Sequence, residues 1–195
     1  MKLSTIILAA GQGTRMNSQL PKVLHRLNGK PLVRYSIDLA ARLGSELTVV
    51  VIGNGAELVQ QTIGDAAEFA LQQQRLGTAH AVQSAEGLLG GVEGSILVIS
   101  ADMPLLKVET LRKLVNERLN SDGPMNLLTV HSRNPRGFGR IIRNGNGSVV
   151  GIVEEAQATP NQMAINELNV GAYCFEARWL WQALKKIGLS PKGEY

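Results

Sequence analysis

The sequence predicts an α/β layer fold with a mostly parallel mixed sheet and a late antiparallel hairpin. Three observations carry this. Short β-rich apolar runs alternate with amphipathic stretches at helical spacing. The first run, Thr5 to Ala10, is continuously apolar and ends in glycine, as a strand covered on both faces requires. From Asn126 onward the pattern turns antiparallel, with a hairpin around Asn144-Gly145-Asn146-Gly147.

The elements follow in order. Pro31 is placed to open a helix, since its missing N–H costs nothing there, and Val33, Ile37, Ala40 and Leu43 or Gly44 follow one face. Leu47 to Ile52 reads as a second buried strand, stopped by Gly53-Asn54-Gly55. Phe69 to Leu71 reads as a short third strand, and Thr78 to Leu89 as a helix. Ser95 to Ser100 is the next strand, ended by Ala101-Asp102-Met103-Pro104. Val108, Leu111, Leu114, Val115 and Leu119 then mark a helix. Leu127 to His131, Gly139 to Arg143, Ser148 to Glu154 and Asn169 to Phe175 complete the strands, and Leu180, Trp181, Leu184 and Ile187 a last helix. With no repeat and no linker in 195 residues, one domain over 1–195 is expected.

Composition narrows the function classes. At 44% hydrophobic and 18% charged, the chain can build a core and is no disordered tail. A single cysteine, Cys174, excludes an intrachain disulfide and a Cys/His zinc cluster, and suits a reducing compartment such as the cytoplasm. The net charge of +4 is too weak and dispersed to predict a nucleic-acid partner. No apolar run approaches the roughly 20 residues of a membrane span. Met1 to Ala10 imitates a very short signal peptide, but a glycine loop follows it, so neither secretion nor a membrane partner is expected. Arg133, Arg136, Arg140 and Arg143 form the one basic cluster, with only Phe138 as an interleaved aromatic. A solvated hairpin face is expected there.

The chemistry concentrates first in Leu8-Ala9-Ala10-Gly11-Gln12-Gly13-Thr14-Arg15-Met16, directly after a buried strand. Small residues there let backbone N–H groups surround an anion, although an ordinary strand-to-helix turn has the same look. A P-loop would need Lys-Ser/Thr after the second glycine, and a dinucleotide fingerprint a third glycine where Met16 stands. Arg15 and Lys22 bracket the following turn. A planar fork and a mobile point charge suit phosphate oxygens, and exposed solubilising charges would look alike.

This loop, continued by Ser18 and Pro21-Lys22-Val23-Leu24-His25, resembles the signature of sugar-1-phosphate nucleotidyltransferases, and more narrowly of the GlmU-type N-acetylglucosamine-1-phosphate uridyltransferase family. The resemblance spans essentially all 195 residues. It implies a Rossmann-like three-layer α/β/α nucleotidyltransferase fold, Mg²⁺ as cofactor, and UTP and N-acetylglucosamine 1-phosphate as substrates. The expected reaction is in-line attack of the sugar phosphate on the α-phosphorus of UTP, with release of pyrophosphate. Leu8, Ala9, Ala10, Gly11, Gly13 and Thr14 would line the nucleotide. Lys22 would steady charge at the α-phosphate, and Arg15 the departing phosphates.

Further along, Gln72-Gln73-Gln74-Arg75-Leu76-Gly77-Thr78 offers an amide able to match a nucleobase edge and a glycine that admits close approach. A polar loop with Thr78 as helix N-cap fits the residues equally. The resemblance assigns Gln72, Gly77 and Thr78 to the uracil, and His80 reads as structural. Asp102 stands at the end of a buried strand, where open α/β sheets place their ligands, or where a turn residue would stand. The resemblance makes it the Mg²⁺ ligand. Ala101 replaces the family's usual Gly, and Ser100 a frequent Tyr.

On the sugar side, Glu154 and Asn169 have the chemistry to hold hydroxyls, as a charged hairpin end and an Asn turn also would. The resemblance places Gly139, Glu154 and Asn169 at the acceptor site. Asn169-Val170-Gly171 departs by one residue from the family's Asn-Thr-Gly. Gly193-Glu194-Tyr195 looks like the start of a family segment that leads on to an Asn metal ligand and a left-handed β-helix. A truncated domain lacking both is therefore the expectation, and oligomeric state stays open.

Overall fold

The structure, a computed structural model, describes residues 2–13, 16–135, 137–189 and 193. The chain divides into two compact units, 1–126 with 173–195, and 127–172.

The first unit begins with β1 (Leu3–Leu8). A 3-10 turn at Lys22–Leu24 follows, then a small hairpin of β2 (Arg26–Leu27) and β3 (Lys30–Pro31). Next come α1 (Leu32–Leu43), β4 (Leu47–Ile52), α2 (Ala56–Ile63) and β5 (Glu68–Leu71). Then α3 (Thr78–Gln83), α4 (Glu86–Leu89), β6 (Ser95–Ser100) and α5 (Val108–Leu119) follow. The strands lie side by side as β5-β4-β1-β6, all parallel, with Ile6 beside both Val49 and Val98. The chain thus builds outward from β1 to β5, then returns to lay β6 on the other side of β1. That reversal is the topological switch point where open sheets leave a crevice beyond the strand ends.

Apolarity on both faces explains why β1, β4 and β6 lack alternation. Ile6, Val49, Val51, Ile96 and Val98 share a core with Ala81, Val82 and Leu89 on one face. Ile7, Val50, Leu97 and Ile99 are equally buried through the opposite pleat. α1 ends at Gly44, whose φ of 76° is the left-handed conformation a helix stop favours. The Arg34 guanidinium of α1 donates to the Thr62 and Ile63 carbonyls at the end of α2.

Two expectations need correcting. The helix anticipated over 78–89 is two helices, broken at Ser84-Ala85, where the Ser84 hydroxyl donates back to the His80 carbonyl at 3.0 Å. α2 went unanticipated behind Gly53-Asn54-Gly55, because its eight residues offer only two buried positions, Val59 and Ile63.

The second unit holds most of β7 (Met125–His131), then β8 (Arg140–Arg143), β9 (Val149–Val153) and α6 (Pro160–Met163). The first part of β10 (Glu167–Glu176) belongs here too, with Leu168 opposite Arg140. β8 and β9 form the antiparallel hairpin. Asn144 shapes its turn by accepting from the Asn146 and Ser148 amides. In the first unit, residues 173–176 of β10 pair antiparallel with β6, which makes that sheet mixed, and α7 (Ala177–Leu184) follows. Trp181 of α7 donates its indole N–H to the Leu89 carbonyl at 3.1 Å. Among the described residues no helix is long and apolar enough to cross a membrane.

Candidate active site

In the first unit the site residues gather at the carboxyl ends of the parallel strands. Leu8 and Ala9 stay tied to the sheet: the Leu8 carbonyl accepts from Ala101, and the Ala9 amide donates to Val51 at 2.9 Å. The amides of Ala10, Gly11, Gln12 and Gly13 have no acceptor among the described residues, so four consecutive donors are available to an anion. Thr14 and Arg15 lie outside the described residues.

Gly13 has φ +62°, and a Cβ there would lie 2.6 Å from Cβ of Lys22. The Lys22 stem therefore packs flat on the glycine, which fixes where its ammonium can reach. Below it, Val23 and Leu24 are buried and anchor the turn. The Lys22 ammonium pairs with Asp102 from across the switch point, their side chains 37% and 31% exposed. The Ser100 hydroxyl donates to the other Asp102 oxygen at 2.6 Å. Burial pushes the Asp102 carboxyl up, but the Lys22 and Ser100 hydrogen bonds and the Lys22 charge outweigh it and hold it below the usual carboxylate range. Asp102 is thus an ionised, partly open carboxylate. Mg²⁺ commonly takes one or two protein carboxylates and completes its shell with phosphate and water, so this residue fits as its holder. Among the described residues no three His, Cys, Asp or Glu side chains gather around a metal position.

The segment expected to read a base joins this edge. Arg75 donates to the Gln12 side chain, linking it to the glycine loop. Gln72 is buried, and its amide nitrogen reaches the Gly77 carbonyl at 3.2 Å and His80 Nδ1 at 3.1 Å. Gly77, at φ +95°, caps α3, a backbone that L side chains rarely adopt. Thr78 is the first helical residue, and no side chain caps α3.

In the second unit the three predicted sugar-side residues come together. A Cβ on Gly139 would meet Oε1 of Glu154 at 3.1 Å and the Ile152 side chain at 2.9 Å. The Gly139 carbonyl accepts from the Asn169 amide at 2.9 Å, and Asn169 Oδ1 accepts from Gly171 N at 3.1 Å. Glu154 is exposed, with its carboxylate lying over a glycine that leaves room beside it.

The basic cluster is only in part the solvated face expected: Arg133 and Arg143 are exposed, and Arg140 is not. Arg140 is 1% exposed, donating to the Phe138 carbonyl and to Glu155 at 3.2 Å. Glu155 also accepts from the Gly137 amide at 2.6 Å, so the pair clamps the loop before Gly139. Arg143 holds Glu167 through two bonds, at 2.8 and 2.7 Å. The Arg143 bonds outweigh burial, with help from Thr129 and the His131 charge, and bring the Glu167 carboxyl down to about 2. Arg136 lies outside the described residues.

Sequence reasoning missed the supports. Gly53 leaves the space in which Ala10 sits, since a Cβ there would lie 3.0 Å from that of Ala10. Gly55, at φ +67°, accepts Pro21, whose Cγ would lie 2.4 Å from an added Cβ. Their punctuation of β4 was the visible signal. Arg140 gave none, because strand pairing brings its partner Glu155 to it, whereas Ser100 bonds a residue only two positions on. A cavity lined by Gly90, Gly91, Gly94, Trp181 and Lys185 among others contains none of the predicted site residues.

Three comparisons bear on this arrangement. The family model of the MobA-like NTP transferase domain matches residues 5–166. The bifunctional protein GlmU of Bacillus thuringiensis (strain Al Hakam) is 46% identical over 191 residues, covering 97% of this chain and 42% of that protein. The same protein of Bacillus anthracis (strain A0248) matches to the same extent. The chain therefore spans less than half the length of these curated relatives. A solved structure from Bacillus anthracis, titled as a candidate glucose-1-phosphate thymidylyltransferase in complex with a sucrose, superposes with a TM-score of 0.77 at 19% identity. It covers 99% of this chain and 78% of that one, and shares the fold.

Proposed function

The chain belongs to the MobA-like NTP transferase domain family, and on that premise we propose that it is a uridyltransferase forming UDP-N-acetylglucosamine and pyrophosphate from UTP and N-acetylglucosamine 1-phosphate. The observation that carries the reading is the Lys22–Asp102 pair at the switch point between β1 and β6, with the Lys22 stem seated on Gly13 beside four available amides. The similarity to GlmU proteins supports the choice of substrates.

The chemistry is a single in-line displacement. A phosphate oxygen of the sugar phosphate bonds to the α-phosphorus of UTP, the bond from that phosphorus to the bridging oxygen breaks, and pyrophosphate leaves with the electron pair. No covalent nucleophile from the protein is needed; positioning and charge neutralisation suffice. The amides of residues 10–13 would bind the triphosphate. Lys22 would stabilise charge as it develops at the α-phosphate, and Arg15 would hold the leaving phosphates. Asp102 would hold Mg²⁺, which when bound supplies further neutralisation of phosphate charge. Gln72, Gly77 and Thr78 would read the base, and Gly139, Glu154 and Asn169 the sugar.

A panel of nucleoside triphosphates against sugar 1-phosphates, scored by pyrophosphate release, tests this. UTP with N-acetylglucosamine 1-phosphate should give the fastest release. A different favoured pair would make the chain a nucleotidyltransferase for other substrates. UTP binding without pyrophosphate release at saturating Mg²⁺ would make it a nucleotide-binding module.

A further inference from the structure

The Gln72 amide is locked by groups of fixed hydrogen-bonding character. Its nitrogen lies 3.2 Å from the Gly77 carbonyl, which can only accept. That carbonyl also takes the first helical bond of α3, from the Ala81 amide at 3.1 Å. The nitrogen, and not the oxygen, of the Gln72 amide must therefore face Gly77. The same nitrogen lies 3.1 Å from His80 Nδ1. An amide nitrogen donates and cannot accept, so Nδ1 must be the bare nitrogen and the imidazole proton sits on Nε2. Both Gln72 N–H groups are then engaged, one by Gly77 and one by His80. What the amide still offers is its oxygen, an acceptor.

We infer that His80 is a positioning residue that, together with the Gly77 carbonyl, holds Gln72 as an acceptor, so that this site takes a pyrimidine presenting an imino N–H, uracil or thymine, and turns away cytosine. The inference rests on the proposed function, in which Gln72 meets the base. At N3 uracil carries a proton and cytosine a lone pair. A carbonyl oxygen facing N3 bonds the first and repels the second. Without an acceptor at His80, only the Gly77 carbonyl still holds the amide nitrogen, so a flipped amide that presents its NH2 to cytosine costs one hydrogen bond less. Arg75, bonded to Gln12, and Ser84, bonded to the His80 backbone, leave this relay intact, since neither touches the Gln72 nitrogen.

The test uses the full chain in two measurements. In ¹⁵N-histidine spectra of the unmodified protein, the neutral His80 ring should show an unprotonated Nδ1 and a protonated Nε2. In calorimetric titrations with Mg²⁺, UTP should bind more tightly than CTP. His80→Phe should shrink that preference about 10-fold, the worth of one hydrogen bond. His80→Asn, whose Oδ1 can stand in for Nδ1, should retain it. A protonated Nδ1 in the neutral ring would overturn the inference. So would a His80→Phe protein that binds UTP with the preference undiminished. If the unmodified chain binds neither nucleotide while Nδ1 is bare, the proposed function falls and takes the base preference with it; UTP binding with a protonated Nδ1 removes only the present inference.

Discussion

The glycine-loop edge of the first unit and the hairpin of the second hold their site residues by different physics. At the first, close packing does the positioning: buried strands end together, and glycines at 13, 53 and 55 admit neighbours that any Cβ would displace. At the second, charge does it, through Arg140 on Glu155 and Arg143 on Glu167, which tie a largely exposed or half-buried hairpin to the residues that follow it. Packing of apolar atoms is indifferent to pH and salt, whereas ion pairs respond to both. Positioning at the glycine-loop edge should therefore be lost through steric substitutions, and in the second unit through neutralisation of charge.

The largest effect expected is Lys22→Ala, which should lower turnover by ~10² or more while leaving the melting temperature nearly unchanged, as removal of a donor to transition-state charge does. An unchanged rate with the same Mg²⁺ dependence would take Lys22 out of the reaction. Next is Arg140→Met, which removes the cation facing Glu155 and leaves it the Gly137 amide. Because Glu155 is about one-third exposed and can recover water, the expected cost is about 2 kcal/mol, below that of a fully buried pair. Amide exchange should quicken in residues 137–153 and not in β1, β4 or β6. Equal acceleration in both units would break the comparison. Gly13→Ala should cost about 1–2 kcal/mol of strain and lower turnover without removing any charged group. Wild-type turnover would show that the seat under Lys22 does not position it.

The smallest effect is an acid step. The Glu167 carboxyl lies at about 2, below its ordinary 4.5, so its stabilisation is complete above about pH 4.5 and fades as pH falls toward 2. Exchange in the hairpin should rise over that interval, and Glu167→Gln should abolish the dependence. An identical acid step in the variant would assign it to another group.

These two regions were also unequally legible in the sequence. β4, β6 and α5 fall on their expected bounds because an unbroken apolar run or a helical stripe is bracketed by turn residues, and nothing distant competes. The bounds of α3 and α4 were not readable, since Ser84 diverts a local carbonyl without interrupting the apolar spacing. The glycine loop was visible in spacing, but the Lys22–Asp102 pair spans 80 residues and no local pattern announces it. Arg140 and Arg143 looked like solvated charges because their carboxylates, at 155 and 167, are brought to them by the pairing of β8 with β9 and β10 and not by helical proximity.

The central claim is that a nucleoside triphosphate binds at the edge between β1 and β6, on the glycine-loop amides and Lys22. Titrating UTP into the ¹⁵N-labelled chain tests it most directly. The account predicts that the amides of residues 10–13, Lys22, Gly77 and Asp102 shift together in a saturable manner, and that Lys22→Ala weakens the response. Saturable shifts confined to residues 90–94 and 178–185, with the glycine loop unmoved, would contradict it.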